Sequence, residues 1–202
     1  MPVTRTRGIP LNDMTSIEEA MDAYEARRPK EALRTLAALI RTSPSPQVHL
    51  LTGVILEIGG PEVPVDLERA ISHYRCASHL IRNRDPLTLL FLARAHLKSG
   101  PARHAQALRY IREASTVRRI PEVELAYAKY YEVAEPNVDL AKRYLVRSAL
   151  RGSIAGAFAL ARVLRQTGCA GQARVVDVLR MLATPFVLLV IGRRTFRAFD
   201  GY

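Results

Sequence analysis

The chain has 202 residues, of which 49% are hydrophobic and 6% aromatic, and it contains no tryptophan. This apolar content excludes a disordered chain and fits one domain or one run of repeats. The formal net charge of +11 favours acidic partners, nucleic acid or an anionic membrane surface, but it says nothing about the fold.

The first residues, 1–14, show no hydrophobic periodicity, and they are predicted to form a mobile leader. Two overlapping capping boxes follow, Thr15 with Glu18 and Ser16 with Glu19, and they predict that the first helix starts here. The basic N-terminus is not followed by a long apolar run, so it does not resemble a signal peptide. The predicted compartment is therefore the cytoplasm.

Proline marks most of the later helix starts, because a first-turn residue needs no backbone N–H. The prolines in question are Pro29, Pro46, Pro86, Pro101, Pro121 and Pro185, with Asp85 and Thr184 as suitable N-caps. They divide the chain into five predicted helix pairs and a last helix. The pairs are 16–28 with 29–43, 46–58 with 66–83, 86–99 with 101–117, 121–134 with 137–151, and 153–167 with 170–183; the last helix is 185–199.

An internal repeat supports this division. The stretch LARAHLKSG at 92–100 returns 68 residues later as LARVLRQTG at 160–168. Twice 34 residues is the spacing expected for helix-turn-helix repeats. The second helices also align on small residues, and the residues four and seven positions later complete one buried stripe in the first four copies. The small residues are Ala32, Ala70, Ala107, Ala141 and Ala173. The fifth copy, with Asp177 and Arg180 at those places, is predicted to be a degenerate terminal unit.

The second pair, GVILEIGGPEVPVDLERAISHYRCA, resembles the Sel-one-like repeat, a longer-looped relative of the tetratricopeptide (TPR) repeat. The matching residues are Gly53, Leu56 and Gly59 on the first helix, and Val63, Asp66, Ala70, Tyr74 and Ala77 after it. The other pairs match less closely, with Ala93 and Ala161 at a usual glycine position. The resemblance covers about residues 16–183. It implies an all-α, right-handed α-solenoid of about five helix-turn-helix repeats with a C-terminal capping helix.

The same resemblance implies a protein that holds other proteins in assemblies, in bacteria often near secretion, envelope or polysaccharide machinery. The domain organisation predicted here is a leader (1–14), a repeat solenoid (15–184) and a capping helix with a tail (185–202). The predicted function is a non-catalytic adaptor that binds another protein, with an acidic partner as one option. The sequence leaves the oligomeric state open.

The chain has no HExxH, CxxC, P-loop, GxSxG or GxGxxG motif, so no enzyme activity or cofactor is predicted. His73, Cys76 and His79 lie within one arc of a helix and suggest a metal site. A fourth ligand is missing from the pattern, and two partly exposed histidines beside a small buried thiol are the favoured interpretation. Cys76 and Cys169 are predicted to be free thiols because they are about three repeats apart.

Arg34, Arg109 and Arg143 each stand two residues beyond an aligned alanine, about 200° from the buried stripe. They are predicted to face solvent as part of a basic ridge on the second helices. The ridge is either a solvated face or a surface for an acidic partner. Nucleic acid is the third choice of partner, because aromatic residues do not alternate with the basic ones.

Tyr127, Tyr130 and Tyr131, with Lys129 between them, give one first helix an aromatic side. First helices line the concave surface of a solenoid, so these four residues are predicted to bind a partner. Packing of the tyrosines between helix layers is the alternative.

The C-terminal stretch PFVLLVIGRRTFRAFDGY is an apolar run followed by three arginines. Only eleven residues, 181–191, lack a charge, which is too short for a ~20-residue span. The stretch is predicted to cap the last repeat, with peripheral membrane contact as the alternative. A membrane or secretion accessory protein is accordingly the second functional prediction.

Overall fold

The structure is a computed structural model that describes residues 11–81 and 84–191, with side chains described for 15–81, 84–179 and 181. These residues form ten α-helices and one 3-10 turn, and the described part of the chain contains no strand. The helices divide into two compact units, with the division at residues 83 and 84. The predicted all-α class is confirmed.

The first unit consists of two helix pairs. They are α1 (Leu11–Glu25) with α2 (Pro29–Thr42), and α3 (Pro46–Ile58) with α4 (Leu67–Leu80). Within each pair the two helices pack against each other, and α2 also contacts α3. The loop from α3 to α4 contains an isolated bridge between Gly60 and Val63. Asp66 then caps α4, because its carboxylate accepts a hydrogen bond from the backbone N–H of Arg69 at 2.9 Å.

The second unit consists of three helix pairs. They are α5 (Pro86–Lys98) with α6 (His104–Val117), α7 (Pro121–Val133) with α8 (Val138–Leu150), and α9 (Ile154–Gln166) with α10 (Ala170–Ile191). The 3-10 turn Pro101–Arg103 directly precedes α6. The first helices α5, α7 and α9 contact one another in succession. Surface side chains on α7 and α9 are therefore neighbours.

The predicted buried stripe is confirmed in both units. The five aligned alanines of α2, α4, α6, α8 and α10 are all buried. So are the residues four positions later in the first four copies, and the residues seven positions later. The first set is Leu36, Tyr74, Ile111 and Leu145, and the second is Leu39, Ala77, Ala114 and Ser148. One face of each second helix thus faces its own pair's first helix.

Two predicted helix ends are wrong. Helix α1 begins at Leu11, so Thr15 and Ser16 lie inside the helix and are not its N-caps. Residues 11–14 of the predicted leader are helical, while 1–10 lie outside the described residues. A leucine and charge pattern that continues backwards through the cap signal explains the earlier start, since capping residues are also tolerated inside a helix.

The second correction concerns Pro185, which the sequence predicts as the start of a separate helix after an N-cap at Thr184. Helix α10 instead runs without interruption from Ala170 to Ile191. A proline inside a helix removes one backbone hydrogen bond, and the flanking apolar residues favour helix strongly enough to continue. The predicted cap falls on side chains outside the described set, so it stays a prediction. Within the described residues, no helix combines the length and apolar character needed to cross a bilayer.

Candidate functional site

The candidate site lies on α7, α8 and α9 in the second unit, and tyrosines of α7 form its base. Tyr127 stacks on Tyr144 of α8 with ring centroids 4.9 Å apart, and Tyr131 stacks on the same ring at 5.7 Å. The interplanar angles are 18° and 10°. Tyr144 is thus the common partner of two tyrosines that are one helical turn apart. We call Tyr127, Tyr131 and Tyr144 the tyrosine stack.

The three rings of the stack are half-buried. Burial raises the pKa of Tyr144, and the neighbouring Tyr131 and Tyr127 raise it further. The guanidinium carbon of Arg147 lies 5.5 Å from the Tyr144 ring centroid, which is within cation–π distance. The stack therefore presents neutral aromatic surface beside a positive charge.

Tyr130 does not belong to this surface. Its side chain is 7% exposed and lies in the hydrophobic core of α5, α6 and α7. Burial, with Glu135 and Tyr131 as smaller causes, raises its pKa above the ordinary tyrosine value. For this residue the structure favours the alternative of packing between layers.

An open cleft of about 490 Å³ begins next to Tyr131. Its walls come from α7, the first turn of α8 and the second half of α9. Its polar and charged lining residues are Lys129, Glu132, Asn137, Arg162, Gln166 and Thr167. The cleft combines one aromatic edge with several hydrogen-bonding groups, an arrangement that suits a polypeptide segment.

A charge cluster crosses the cleft. The Glu132 carboxylate accepts hydrogen bonds from Lys129 Nζ at 3.2 Å and from Arg162 Nη2 at 3.2 Å. Lys129 and Arg162 each keep about half of their side-chain surface exposed, whereas Glu132 keeps 19%. The cleft therefore offers two accessible cations around one largely covered carboxylate, which favours an acidic ligand group.

The three arginines Arg34, Arg109 and Arg143 are exposed, as predicted. Arg34 lies near Glu62 in the first unit; the Lys30 hydrogen bond is the main cause of the lowered pKa of that carboxyl, and Arg34 adds to it. The Arg109 guanidinium lies 5.3 Å from the Tyr110 ring centroid. None of the three arginines lines the cleft. Their predicted role in partner binding stays a prediction.

The histidine and cysteine cluster of α4 differs from its predicted form. Cys76 is exposed, so the expected small buried thiol is wrong. It stands six residues after Ala70, about 240° from the buried stripe, which explains its exposure. Cys76 and Cys169 are free thiols. Within the described residues, no group of three potential ligands could hold a metal ion.

His73 instead contacts a residue that the sequence pattern did not connect with it. Its Nδ1 lies 3.0 Å from Nδ1 of His49 on α3, so one ring N–H donates to the other ring. Burial lowers the pKa of His49, and it lowers that of His73 together with the positive neighbours His49 and Arg69. We call these two residues the histidine pair.

Sequence reasoning missed Tyr144, Glu132 and Arg162. A signal for Glu132 exists, because Lys129 and Glu132 have the i, i+3 spacing of a helical ion pair. Arg162 is the third letter of the repeated LAR motif, but its counterpart Arg94 is buried and lies against Phe91. The repeat therefore gave no sign that only one of the two arginines reaches a cleft.

No family model matches the sequence, and no curated protein is detectably similar to it. Two solved structures share its fold. A thermophilic TPR protein of Thermus thermophilus, TTC0263, has a TM-score of 0.70 at 16% identity, over 86% of this chain and 92% of that one. The 41-end form of MamA from Desulfovibrio magneticus RS-1 has a TM-score of 0.57 at 14% identity, over 88% of this chain and 98% of that one.

These similarities are at the level of fold, and the Sel-one-like subtype stays a prediction from the second helix pair. The paired helices, the recurring small residues and the structural similarity over most of the chain agree with one another. The chain therefore has the all-α helical-repeat fold of TPR proteins.

Proposed function

We propose that the protein is a non-catalytic adaptor that binds another protein through the cleft and the tyrosine stack of the second unit. The observation that carries this proposal is the juxtaposition of Tyr131 with Lys129 and Arg162 at one open cleft. Aromatic and arginine side chains supply much of the binding energy in protein interfaces. The TPR-type fold supports a protein partner in general terms.

The charges of the cleft indicate the chemistry of the partner. Lys129 and Arg162 share Glu132, so one positive charge remains in excess within this cluster. A partner segment with Asp or Glu next to an apolar residue can bind a cation and the edge of the tyrosine stack together. We infer that such a segment belongs to a protein that works with this chain inside the cytoplasm.

The test is quantitative affinity purification from the native host, with the wild type and the double variant Tyr131→Ala/Arg162→Ala compared by mass spectrometry. Partners that use the cleft are expected to lose about tenfold or more in enrichment, because an interface anchor and a charge are removed together. Arg75→Ala/Arg118→Ala is the matched control, since both of these residues are exposed and neither lines the cleft.

A partner identified in this way is then titrated with the purified protein at low and high salt. Binding that persists after nuclease treatment and weakens only moderately with salt supports a protein partner. Capture that disappears with nuclease, or falls steeply with salt, indicates nucleic acid instead. Equal enrichment of every partner by the wild type and the cleft variant refutes the cleft as the binding site.

A further inference from the structure

A second exposed surface in the second unit has a different character. Val146 and Leu150 on α8 and Leu179 on α10 line an open apolar cavity of about 250 Å³, together with residues of α9. The exposed fractions are 83% for Leu150 and 61% for Leu179. The lining is almost wholly aliphatic, so water in this cavity finds few hydrogen-bond partners.

The apolar surface continues along α10 beyond the cavity. Val175, Val178 and Met181 are exposed, and they neighbour Leu179 or one another through i, i+3 and i, i+4 spacing. Only Ala173, Val176 and Asp177 of this part of α10 are covered to any extent. We call the exposed set the C-terminal apolar face; its members are Val146, Leu150, Val175, Val178, Leu179 and Met181. A terminal repeat that presents so many aliphatic side chains needs a covering surface.

Arginines stand directly beside these aliphatic side chains. Arg143, Val146, Arg147 and Leu150 follow one another at i, i+3, i+4 and i+7 on α8, and all four are exposed. On α10, Arg174 is exposed next to Val175. The C-terminal apolar face is therefore bordered by cations on both of the helices that form it.

The charge balance of the surrounding sequence is strongly one-sided. Residues 138–202 contain eleven Lys or Arg and three Asp. Of the three acids, Asp177 is already paired with Arg165 at 3.2 Å. Residues 181–191 add an uncharged sequence, and Arg193, Arg194 and Arg197 follow it. Aliphatic side chains with a border of arginine are the composition of segments that lie in the headgroup region of anionic membranes.

We propose that the C-terminal apolar face docks on the surface of an anionic lipid bilayer, with Leu150 and Leu179 inserted at the level of the headgroups and Arg147 and Arg174 among the phosphates. A second copy of the chain fits the face less well, because its own arginines would be brought against like charges. An anionic bilayer satisfies both the aliphatic and the cationic part of the surface. This surface is separate from the cleft and does not depend on the proposed adaptor function.

The test is co-sedimentation of the full chain with phosphatidylcholine vesicles that contain about 30% phosphatidylglycerol, at about 0.1 M salt. Vesicles of phosphatidylcholine alone are the neutral comparison. We expect at least about tenfold stronger partitioning onto the anionic vesicles, because several arginines contribute together. Equal partitioning onto both kinds of vesicle, or onto neither, overturns the proposal.

Two double variants separate the aliphatic and the cationic contributions. Leu150→Ser/Leu179→Ser is expected to lower vesicle partitioning about tenfold or more, because two inserted side chains are lost. Arg147→Gln/Arg174→Gln is expected to lower it about tenfold to thirtyfold on anionic vesicles. All four residues are exposed, so the melting temperature is expected to stay unchanged, and circular dichroism checks this for each variant.

The matched control is Leu80→Ser/Val133→Ser, which removes two aliphatic side chains of 44% and 45% exposure outside the C-terminal apolar face. Its partitioning is expected to equal that of the wild type, and an equal loss in this control overturns the assignment of the face. Sedimentation without vesicles tests for a second copy: self-association that the Leu150 and Leu179 changes abolish also overturns the proposal. Tyr131→Ala/Arg162→Ala is expected to keep full vesicle binding, so failure of one proposal leaves the other testable.

Discussion

Tyrosine is fully buried in the α3–α4 pair and half-buried at the surface of the α7–α8 pair. Tyr74 of α4 has no exposed surface, and its phenol donates a 2.7 Å hydrogen bond to the Glu57 carboxylate on α3. The equivalent stripe position in α8 is Leu145, which is also fully buried. The tyrosines of α7 and α8 therefore lie beside the stripe, where they form the tyrosine stack.

The facing helix explains this difference. In α3, Gly53 lies directly against the Tyr74 ring, and a Cβ atom there would be 2.7 Å from Cδ1 and closer still to Cε1. The absence of a side chain at this point makes room for an aromatic ring inside the pair. A tyrosine in the stripe thus needs a glycine opposite it, whereas a tyrosine beside the stripe is available to a partner.

The largest expected effect is the loss of stability in Tyr74→Ala, about 4 kcal/mol in the free energy of unfolding, because a fully buried ring is replaced by a cavity. Tyr130→Ala is expected to cost a comparable amount, about 3 kcal/mol, since Tyr130 is also a core residue. Tyr131→Ala should cost only about 1 kcal/mol, because its ring is half-buried. Urea unfolding followed by circular dichroism measures all three, and equal losses would remove the distinction between core and surface tyrosines.

The buried part of this comparison follows from the sequence and the surface part does not. The stripe that begins at Ala70 and includes Tyr74 is a local pattern, and helical periodicity alone places it on one face. The stacking of Tyr127 and Tyr131 on Tyr144 depends on how α7 packs against α8, which no spacing within one helix encodes. The same holds for the meeting of His49 with His73 across α3 and α4.

Helix ends were less predictable for a related reason. Capping boxes and prolines are permissive signals, because the same residues can also lie inside a helix at moderate cost. The signals at Ser45, Asp66 and Asp85 coincide with loops and mark true N-caps. Those at Thr15 and Pro185 lie within stretches that are helical on both sides.

The second prediction tests the role of the glycine opposite Tyr74. Gly53→Ala is expected to cost about 2 kcal/mol, because the added methyl group overlaps a ring that the Glu57 hydrogen bond holds in place. Gly171→Ala in α10 is the matched control, since no neighbouring heavy atom lies within 4 Å of a Cβ built there. This control is expected to be neutral or to stabilise by up to about 1 kcal/mol through helix propensity. A neutral Gly53→Ala would show that Tyr74 can move, and the glycine would not be required.

The smallest expected effect distinguishes the two pairs by pH. The α3–α4 pair contains the histidine pair, whereas residues 121–150 contain no histidine. Because burial lowers the pKa of both His49 and His73 in the folded state, the unfolded chain binds more protons near pH 6. Their contribution to stability is therefore complete above the ordinary histidine pKa of about 6.5, and it is lost as the pH falls from there through the lowered pKa values.

Urea unfolding at several pH values between about 5 and 8 measures this loss, whose slope cannot exceed about 1.4 kcal/mol per pH unit for each proton. In His73→Gln the slope is expected to become smaller, because one of the two titrating rings is removed and His49 loses a neighbouring charge. His79→Gln on the same helix is the matched control, since His79 is exposed and makes no contact with the histidine pair. If His79→Gln reduces the slope as much as His73→Gln does, the pH dependence comes from histidine content rather than from the buried contact between α3 and α4.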